Sequence, residues 1–107
     1  MDDQIYSYHA EMCQVFSHPK RLELIDVLRA GEMSVSDLSE KLGMAPANLS
    51  QHLAMMRERR ILLSRKQGNV VYYRIANPKL LQAFDMLREI LFEQIRQDAA
   101  LIHGRTS

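Results

Sequence analysis

Apolar side chains recur along the chain at helical spacing in five stretches, with strand-like alternation between the fourth and the fifth. The helical stretches are residues 3–16, 19–28, 35–42, 46–59 and a long last one that begins at residue 77. Pro19 and Pro46 suit the first turn of a helix, whereas Gly31 and Gly43 suit its end. Ser34 is a suitable N-cap for the third helix. The pattern therefore predicts four short helices and one long final helix.

A hairpin is predicted between the fourth and fifth helices. Its strands are residues 61–67 and 70–75, and Gly68-Asn69 between them suits a two-residue turn that needs positive backbone angles. The second strand alternates two sets of side chains, namely Val71, Tyr73 and Ile75 with Val70, Tyr72 and Arg74. Such alternation is typical of a half-buried strand.

Two helices joined by a tight turn and followed by a hairpin predict a winged helix-turn-helix, which is an arrangement that binds duplex DNA. The turn is Gly43-Met44-Ala45-Pro46, and the hairpin is the wing. The predicted fold is mainly α with a small β-hairpin, in the order of four helices, two strands and a fifth helix. We expect one domain that spans residues 1–107.

The charges of the chain are strongly segregated, although the formal net charge is only +1. Residues 1–50 carry four basic and eight acidic side chains, whereas residues 51–74 carry six basic side chains and one acidic side chain. Phosphate contacts dominate the affinity of proteins for duplex DNA, so a local basic block matters more than the total charge. Charge alone is equally compatible with a solvated basic hairpin that has no partner.

The fourth helix and the hairpin supply the candidate DNA contacts. Leu49, Leu53 and Met56 face inward at helical spacing, which leaves polar side chains on the outer faces. The amides of Asn48 and Gln51 can bond adenine edges in a major groove, and the cations that follow can contact phosphate or the minor groove. The predicted DNA-binding residues are Ala47, Asn48, Ser50, Gln51, His52, Arg57, Arg65, Lys66, Gly68 and Asn69.

Two alternatives stay open for this surface. Arg59 and Arg60 can merely solubilise the turn after the fourth helix, so we rank Arg57 and Arg65 above them as DNA contacts. A winged helix can also bind another protein through the same surface or through its apolar last helix, without specific DNA binding.

Three runs of residues carry a resemblance to a known family. They are Leu42 to Leu53, Arg65 to Arg74 and His18-Pro19-Lys20-Arg21. Together they resemble the ArsR/SmtB family of winged-helix repressors, and the resemblance covers nearly the whole chain. It implies a bacterial or archaeal repressor that an inducer releases from a palindromic operator. Ala45 departs from the family pattern, which usually has a serine capping the recognition helix at this position.

The resemblance also implies a homodimer that pairs through the first and last helices. The apolar band of the last helix is too broad for contact with the small body alone. A domain of this size removes only about two-thirds of its unfolded surface from water, so a second copy would bury more. The predicted interface residues are Ile5, Tyr8, Met12, Phe84, Leu87, Leu91 and Ile95.

The usual metal sites of that family lack their donors in this chain. Where the third-helix site has two cysteines and an aspartate, the matching residues are Ser34, Ser36 and Asp37. At the last-helix zinc site the matching residues are Asn77, Lys79, Ile90 and Glu93. An amide, a lysine and an isoleucine do not replace zinc ligands. We therefore predict no metal at either site and no cofactor, and the inducer is not identified.

Three residues keep a weaker hypothesis of metal or redox sensing open. His9 and Cys13 lie four residues apart on the first helix and, with His103, can gather a soft metal at the dimer seam. Cys13 can also act as an oxidation switch by meeting its symmetry mate. A buried thiol beside a histidine that is satisfied by a hydrogen bond is the commoner arrangement.

The sequence contains no catalytic signature, such as a nucleophile motif, a glycine-rich phosphate loop or paired carboxylates, so we do not expect an enzyme. We expect no signal peptide, because the N-terminus lacks the succession of charged, apolar and small residues that marks one. We expect no membrane partner, because no apolar run approaches the roughly 20 residues that cross a bilayer. The single cysteine agrees with a reducing compartment. A cytoplasmic location is therefore predicted.

Overall fold

A computed structural model describes the backbone of residues 2–106 and the side chains of residues 2–101. The helices are α1 (Asp3–Cys13), α2 (Pro19–Leu28), α3 (Val35–Leu42), α4 (Pro46–Glu58) and α5 (Lys79–Thr106), with a 3-10 helix at Gln14–Ser17. The strands are β1 (Met33–Ser34), β2 (Leu62–Gln67) and β3 (Val70–Ile75). The chain divides into two compact units, Met1–Asn77 and Pro78–Ser107. This order of elements confirms the predicted winged helix-turn-helix.

The start of α2 explains the run His18-Pro19-Lys20-Arg21. Nδ1 of His18 accepts a hydrogen bond from the Lys20 backbone N–H at 3.1 Å, so the imidazole caps α2, and Pro19 occupies the first turn. The Arg21 guanidinium donates to the carbonyl of Gln14 at 2.9 Å, which satisfies one acceptor of the 3-10 helix. The predicted first helix, residues 3–16, therefore tightens into a 3-10 turn after Cys13.

The turn between α3 and α4 is held by hydrogen bonds on both sides of Gly43. Gly43 has a φ of 63°, a left-handed conformation that glycine adopts without a steric penalty. The Met44 backbone N–H donates to the carbonyl of Ser39 at 3.2 Å, and the Ser39 hydroxyl donates to the carbonyl of Met44 at 2.6 Å. At the other end of α3, Ser34 caps the helix by accepting from the Asp37 N–H at 3.1 Å. The direction of the chain into α4 is thereby fixed.

The hydrophobic core lies in the first unit and includes the inner face of α4. Leu49, Leu53 and Met56 are fully buried, which confirms the predicted orientation of this helix. Burying one such side chain stabilises a fold by about 1.5 to 3 kcal/mol. The other fully buried side chains are Val15, Leu24, Ile25, Leu28, Leu38 and Leu62.

The terminal helices, by contrast, expose apolar side chains. The stripe of α1 is not buried within the chain, since Ile5, Tyr8 and Met12 are between 47% and 61% exposed. On α5, Leu87, Leu91 and Ile95 are also exposed, but Phe84 is buried. No helix in the described part of the chain is both long and apolar enough to span a membrane.

The predicted hairpin is present and is joined by a third strand that the sequence pattern did not predict. The antiparallel sheet has the order β1-β3-β2, with Ser34 opposite Tyr72 and Tyr72 opposite Arg65. Within the turn only Gly68 has a positive φ, of 61°, which is the pattern of a type II′ turn. Two residues of β1 are too few to show a periodic pattern, and their pairing with β3 is distant in the sequence.

The end of α4 contains a non-glycine residue in the left-handed region. Arg60 has a φ of 61°. The Ile61 N–H donates to the Met56 carbonyl, and the Arg60 N–H donates to the Arg57 carbonyl, both at 2.9 Å. This is a Schellman cap, in which glycine is the usual residue at the left-handed position. Arg60 therefore carries a steric strain at this helix end.

Replacing Arg60 with glycine is expected to stabilise the fold by about 0.5 to 1 kcal/mol, because relief of the left-handed strain exceeds the entropy that glycine adds to the unfolded chain. Urea unfolding at a fixed protein concentration measures the change. Gly43→Ala is the matched control, since a Cβ there has open space and only the backbone strain is added. It is expected to destabilise the fold by about 1 kcal/mol. Equal stability of Arg60→Gly and the parent chain would contradict the strain at Arg60.

Candidate nucleic-acid interface

The outer face of α4 presents polar and small side chains to solvent. Ala47, Asn48, Ser50 and Gln51 are exposed, as expected for a helix whose opposite face is anchored in the core. They lie on one continuous helix, which runs from Pro46 to Glu58. The side chains of Asn48 and Gln51 are therefore free to meet base edges.

The first turn of α4 has no side-chain cap. Ala45 precedes Pro46 in an extended conformation, and its methyl group accepts no hydrogen bond. The backbone N–H groups of Ala47 and Asn48 are among those that such a cap would otherwise satisfy. A helix start of this kind favours a nearby anion, and a DNA phosphate is one.

His52 is half-buried and packs against His18, unlike its exposed neighbours on α4. The two ring centroids are 4.6 Å apart, with the planes tilted by 56°. Burial lowers the pKa of His52 below its ordinary value of 6.5, and the nearby His18 and Arg21 lower it further. This arrangement ties α4 to the start of α2, so His52 has a structural role in addition to its predicted DNA contact.

One hydrogen bond links α4 directly to the wing. Nη1 of Arg57 donates to the hydroxyl of Ser64 on β2 at 3.2 Å, while Arg57 itself remains exposed. The helix and the hairpin are consecutive elements that pack together. The hydrogen bond gives Arg57 a defined position at the junction of the two predicted DNA-binding elements.

Arg65 is bound to a carboxylate from outside the hairpin. Its Nε donates to both carboxylate oxygens of Glu32, at 2.9 and 2.8 Å, and its Nη2 donates to Oε1 at 2.6 Å. Nη1 donates to the side-chain carbonyl of Gln67 at 2.8 Å, and the guanidinium lies 4.6 Å from the Tyr72 ring centroid. The hydrogen bonds lower the pKa of Glu32 and raise that of Arg65. The guanidinium is therefore already paired in the isolated chain.

The tip of the wing is exposed and carries a cation. Lys66, Gly68 and Asn69 are exposed, and Lys66 has no ion pair among residues 2–101. Lys66 is therefore a more available charge for phosphate than Arg65.

Arg59 is used for internal contact. Its Nη1 donates to the Glu11 carboxylate at 3.2 Å, which holds α1 against the end of α4. A cavity of about 490 Å³ borders this pair. It is lined by Tyr8, Glu11, Met12, Glu58, Arg59 and Arg60. The ion pair supports the lower rank of Arg59 as a DNA contact.

The residues of the metal hypothesis are not gathered in the described part of the chain. His9 and Cys13 are exposed on α1, and His103 lies outside the residues whose side chains are described. Within residues 2–101 no three histidine, cysteine, aspartate or glutamate side chains are grouped so that they could hold a metal ion.

Sequence reasoning missed three residues next to the candidate site, namely His18, Glu32 and Tyr72. The place of Tyr72 opposite Arg65 follows from counting back along both strands from a two-residue turn, so that signal was present in the sequence. The place of Glu32 depends on β1, which had no signal. The contact of His18 with His52 depends on the packing of α2 against the helix pair.

Comparisons with known proteins agree with this architecture. Residues 18–63 match the sequence profile of the bacterial regulatory protein arsR family. The chain is 34% identical over 88 residues to the biofilm growth-associated repressor of Xylella fastidiosa, covering 82% of this chain and 77% of that protein. Both matches include the helix-turn-helix region.

Solved structures give the same result for the fold. The crystal structure of Rv0081 from Mycobacterium tuberculosis matches with a TM-score of 0.83 and 26% identity, covering 92% of this chain and 99% of that chain. A homodimeric winged helix-turn-helix DNA-binding domain from Mycobacterium bovis matches with a TM-score of 0.81 and 22% identity, covering 91% and 93%. At 22% identity the second likeness concerns the fold alone.

We expect the free energy of unfolding to fall as the pH decreases below 6.5 in part because of His52. A histidine whose pKa is lower in the folded state takes up its proton more readily when unfolded, so acid favours unfolding. His52→Gln should therefore weaken the dependence of the free energy of unfolding on pH. Thermal or urea unfolding between about pH 8 and about pH 5 measures this dependence. His9→Gln, the same substitution at an exposed histidine of α1, is the control for replacing a histidine away from this contact. An unchanged slope in His52→Gln would contradict a lowered pKa of His52 in the folded chain.

Proposed function

The chain belongs to the arsR family of bacterial regulatory proteins, and we propose that it acts as a homodimeric, DNA-binding transcriptional repressor that an inducer releases from its operator. The observation that carries this proposal is the exposed polar face of α4 above three fully buried anchors, Leu49, Leu53 and Met56. A rigid helix with that division of faces fits a major groove about 12 Å wide.

The wing supplies the second DNA-binding element. Its tip at Gly68 is narrow and exposed, and Lys66 next to it carries a charge without an internal partner among residues 2–101. Such a cation contacts phosphate on either side of the groove that the helix enters. The hydrogen bond between Arg57 and Ser64 joins the helix to the wing.

A homodimer is supported by the apolar side chains that the single chain leaves exposed. Ile5, Tyr8 and Met12 form an uncovered stripe on α1, and α5 exposes Leu87, Leu91 and Ile95. Phe84 is already buried in the single chain, so it offers less apolar surface to a dimer interface than its spacing predicted. Two copies would place two α4 helices in successive major grooves about 34 Å apart, which requires a roughly two-fold symmetric site.

The regulatory role follows from the family and from the named relatives. The related Xylella protein is named a repressor, and we assign the same direction of regulation to this chain. A repressor of this kind works in the cytoplasm and catalyses no reaction. The inducer is not identified by the residues that the structure describes.

Selection from randomised duplexes tests the proposal. The chain is expected to enrich an inverted repeat whose half-sites are about 10 base pairs apart, or a multiple of that spacing. Recovery of one half-site only would contradict the homodimer. No retention of any duplex at low salt would contradict DNA binding and favour the protein-interaction module.

Gln51→Ala and Asn48→Ala are expected to lose discrimination between the selected site and a site with one altered base pair. A bidentate contact contributes about 1 to 3 kcal/mol of such discrimination. Fluorescence anisotropy with both duplexes measures the difference. Discrimination equal to that of the parent chain in both variants would contradict base recognition by this face.

Lys66→Ala is the contrasting variant, because a phosphate contact carries no sequence information. It should weaken binding to both duplexes by the same factor. Lys66→Ala should also make binding less sensitive to salt. The slope of log affinity against log salt concentration should become shallower by about 0.9 for each phosphate that the lysine neutralises in the parent complex. A change in discrimination without a change in salt dependence would place Lys66 at a base instead.

A further inference from the structure

The ion pair between Glu32 and Arg65 crosses the whole sheet. Arg65 lies on β2 opposite Tyr72 on β3, and the guanidinium reaches over the Tyr72 ring to the carboxylate of Glu32, the residue before β1. Three hydrogen bonds of 2.6 to 2.9 Å join Arg65 to Glu32. The pair lies on the outer face of the wing, because the opposite face carries the core residue Leu62.

This ion pair occupies one edge of the guanidinium, formed by Nε and Nη2, that could otherwise bind a phosphate. A guanidinium recognises carboxylate and phosphate in the same way, through two parallel N–H groups. In Arg65, Nε and Nη2 donate to Glu32, and Nη1 donates to Gln67. A phosphate can therefore take the edge formed by Nε and Nη2 only after the carboxylate is displaced.

The carboxylate would not be left without a cation after such a displacement. Met33 lies opposite Tyr73, so Glu32 is next to Arg74 on the neighbouring strand. Arg74 already acts electrostatically on Glu32. The pair is also partly exposed, with 50% of the Arg65 side chain and 26% of the Glu32 side chain accessible. Exposed ion pairs are weak, so duplex DNA can compete with one.

We propose that Glu32 occupies the phosphate-binding position of Arg65 in the free protein, and that Arg65 exchanges this carboxylate for a backbone phosphate when the wing meets duplex DNA. The inference rests on the proposed function. It makes Glu32, which lies outside both the helix-turn-helix and the hairpin, a residue that sets operator affinity through Arg65.

A double-mutant cycle on the full chain tests the exchange, with the duplex selected above and affinity measured across a salt series. Glu32→Gln keeps the size of the side chain and removes its charge. It is expected to tighten binding by about two- to fivefold, the range that the small contribution of an exposed ion pair allows. In an Arg65→Gln background the same substitution should have no effect. Arg65→Gln alone should reduce the salt dependence by about 0.9, because one phosphate is no longer neutralised.

The control is Glu89→Gln, which removes an equal charge from an exposed position on α5. It should change affinity less than Glu32→Gln does. A gain from Glu32→Gln that persists in the Arg65→Gln background would show a general charge effect and overturn the exchange. An unchanged salt dependence in Arg65→Gln would overturn it as well, since Arg65 would then stay on Glu32 in the complex.

A second measurement needs no variant. The Arg65 Nε–H resonance of the ¹⁵N-labelled chain reports which anion the guanidinium holds, and it is expected to shift when the duplex is added. A resonance that does not shift when the chain is saturated with duplex would contradict the exchange. If the parent chain shows no salt-dependent binding to any duplex, the proposed function itself is wrong. That result differs from the results above, which overturn only the exchange.

Discussion

The burial of Leu49, Leu53 and Met56 is the interaction on which the rest of the site depends. These three side chains fix the rotation of α4 about its own axis, and they thereby decide which residues face outward. Their burial contributes several kcal/mol in total, by the usual value of about 1.5 to 3 kcal/mol for each side chain. Without that anchoring Asn48 and Gln51 would have no defined direction, and a base contact requires a defined direction.

The charge of the binding surface is set by pairing as well as by composition. The basic block at residues 51–74 contains six cations, but Arg59 is paired with Glu11 and Arg65 with Glu32. Two acidic residues from the first half of the chain, Glu11 and Glu32, therefore neutralise part of the positive charge of residues 51–74. The available positive charge is concentrated at fewer places than the sequence indicates, with Lys66 at the wing tip among them.

The sequence predicted the elements with local signals and missed those that depend on distant pairing. The helix starts at Pro19 and Pro46, the inner face of α4 and the turn at Gly68 all follow from short-range chemistry, and the structure contains each of them. Strand β1 has two residues and no periodicity, so neither it nor the contact of Glu32 with Arg65 was predictable. The left-handed Arg60 was also missed, because sequence signals for a helix end rely on glycine. The stripe on α1 had the spacing of a buried face, but spacing cannot tell burial within one chain from burial between two.

The most direct test of the central claim is to locate the DNA-binding surface on the chain itself. Titration of the ¹⁵N-labelled protein with the selected duplex, followed by amide resonances, gives that location residue by residue. The largest changes are expected at residues 47–52 and 66–70, whereas the resonances of Leu53 and Met56 on the buried face of α4 should change less. Changes confined to α1 and α5, with residues 47–52 and 66–70 unaffected, would contradict DNA binding by α4 and the wing.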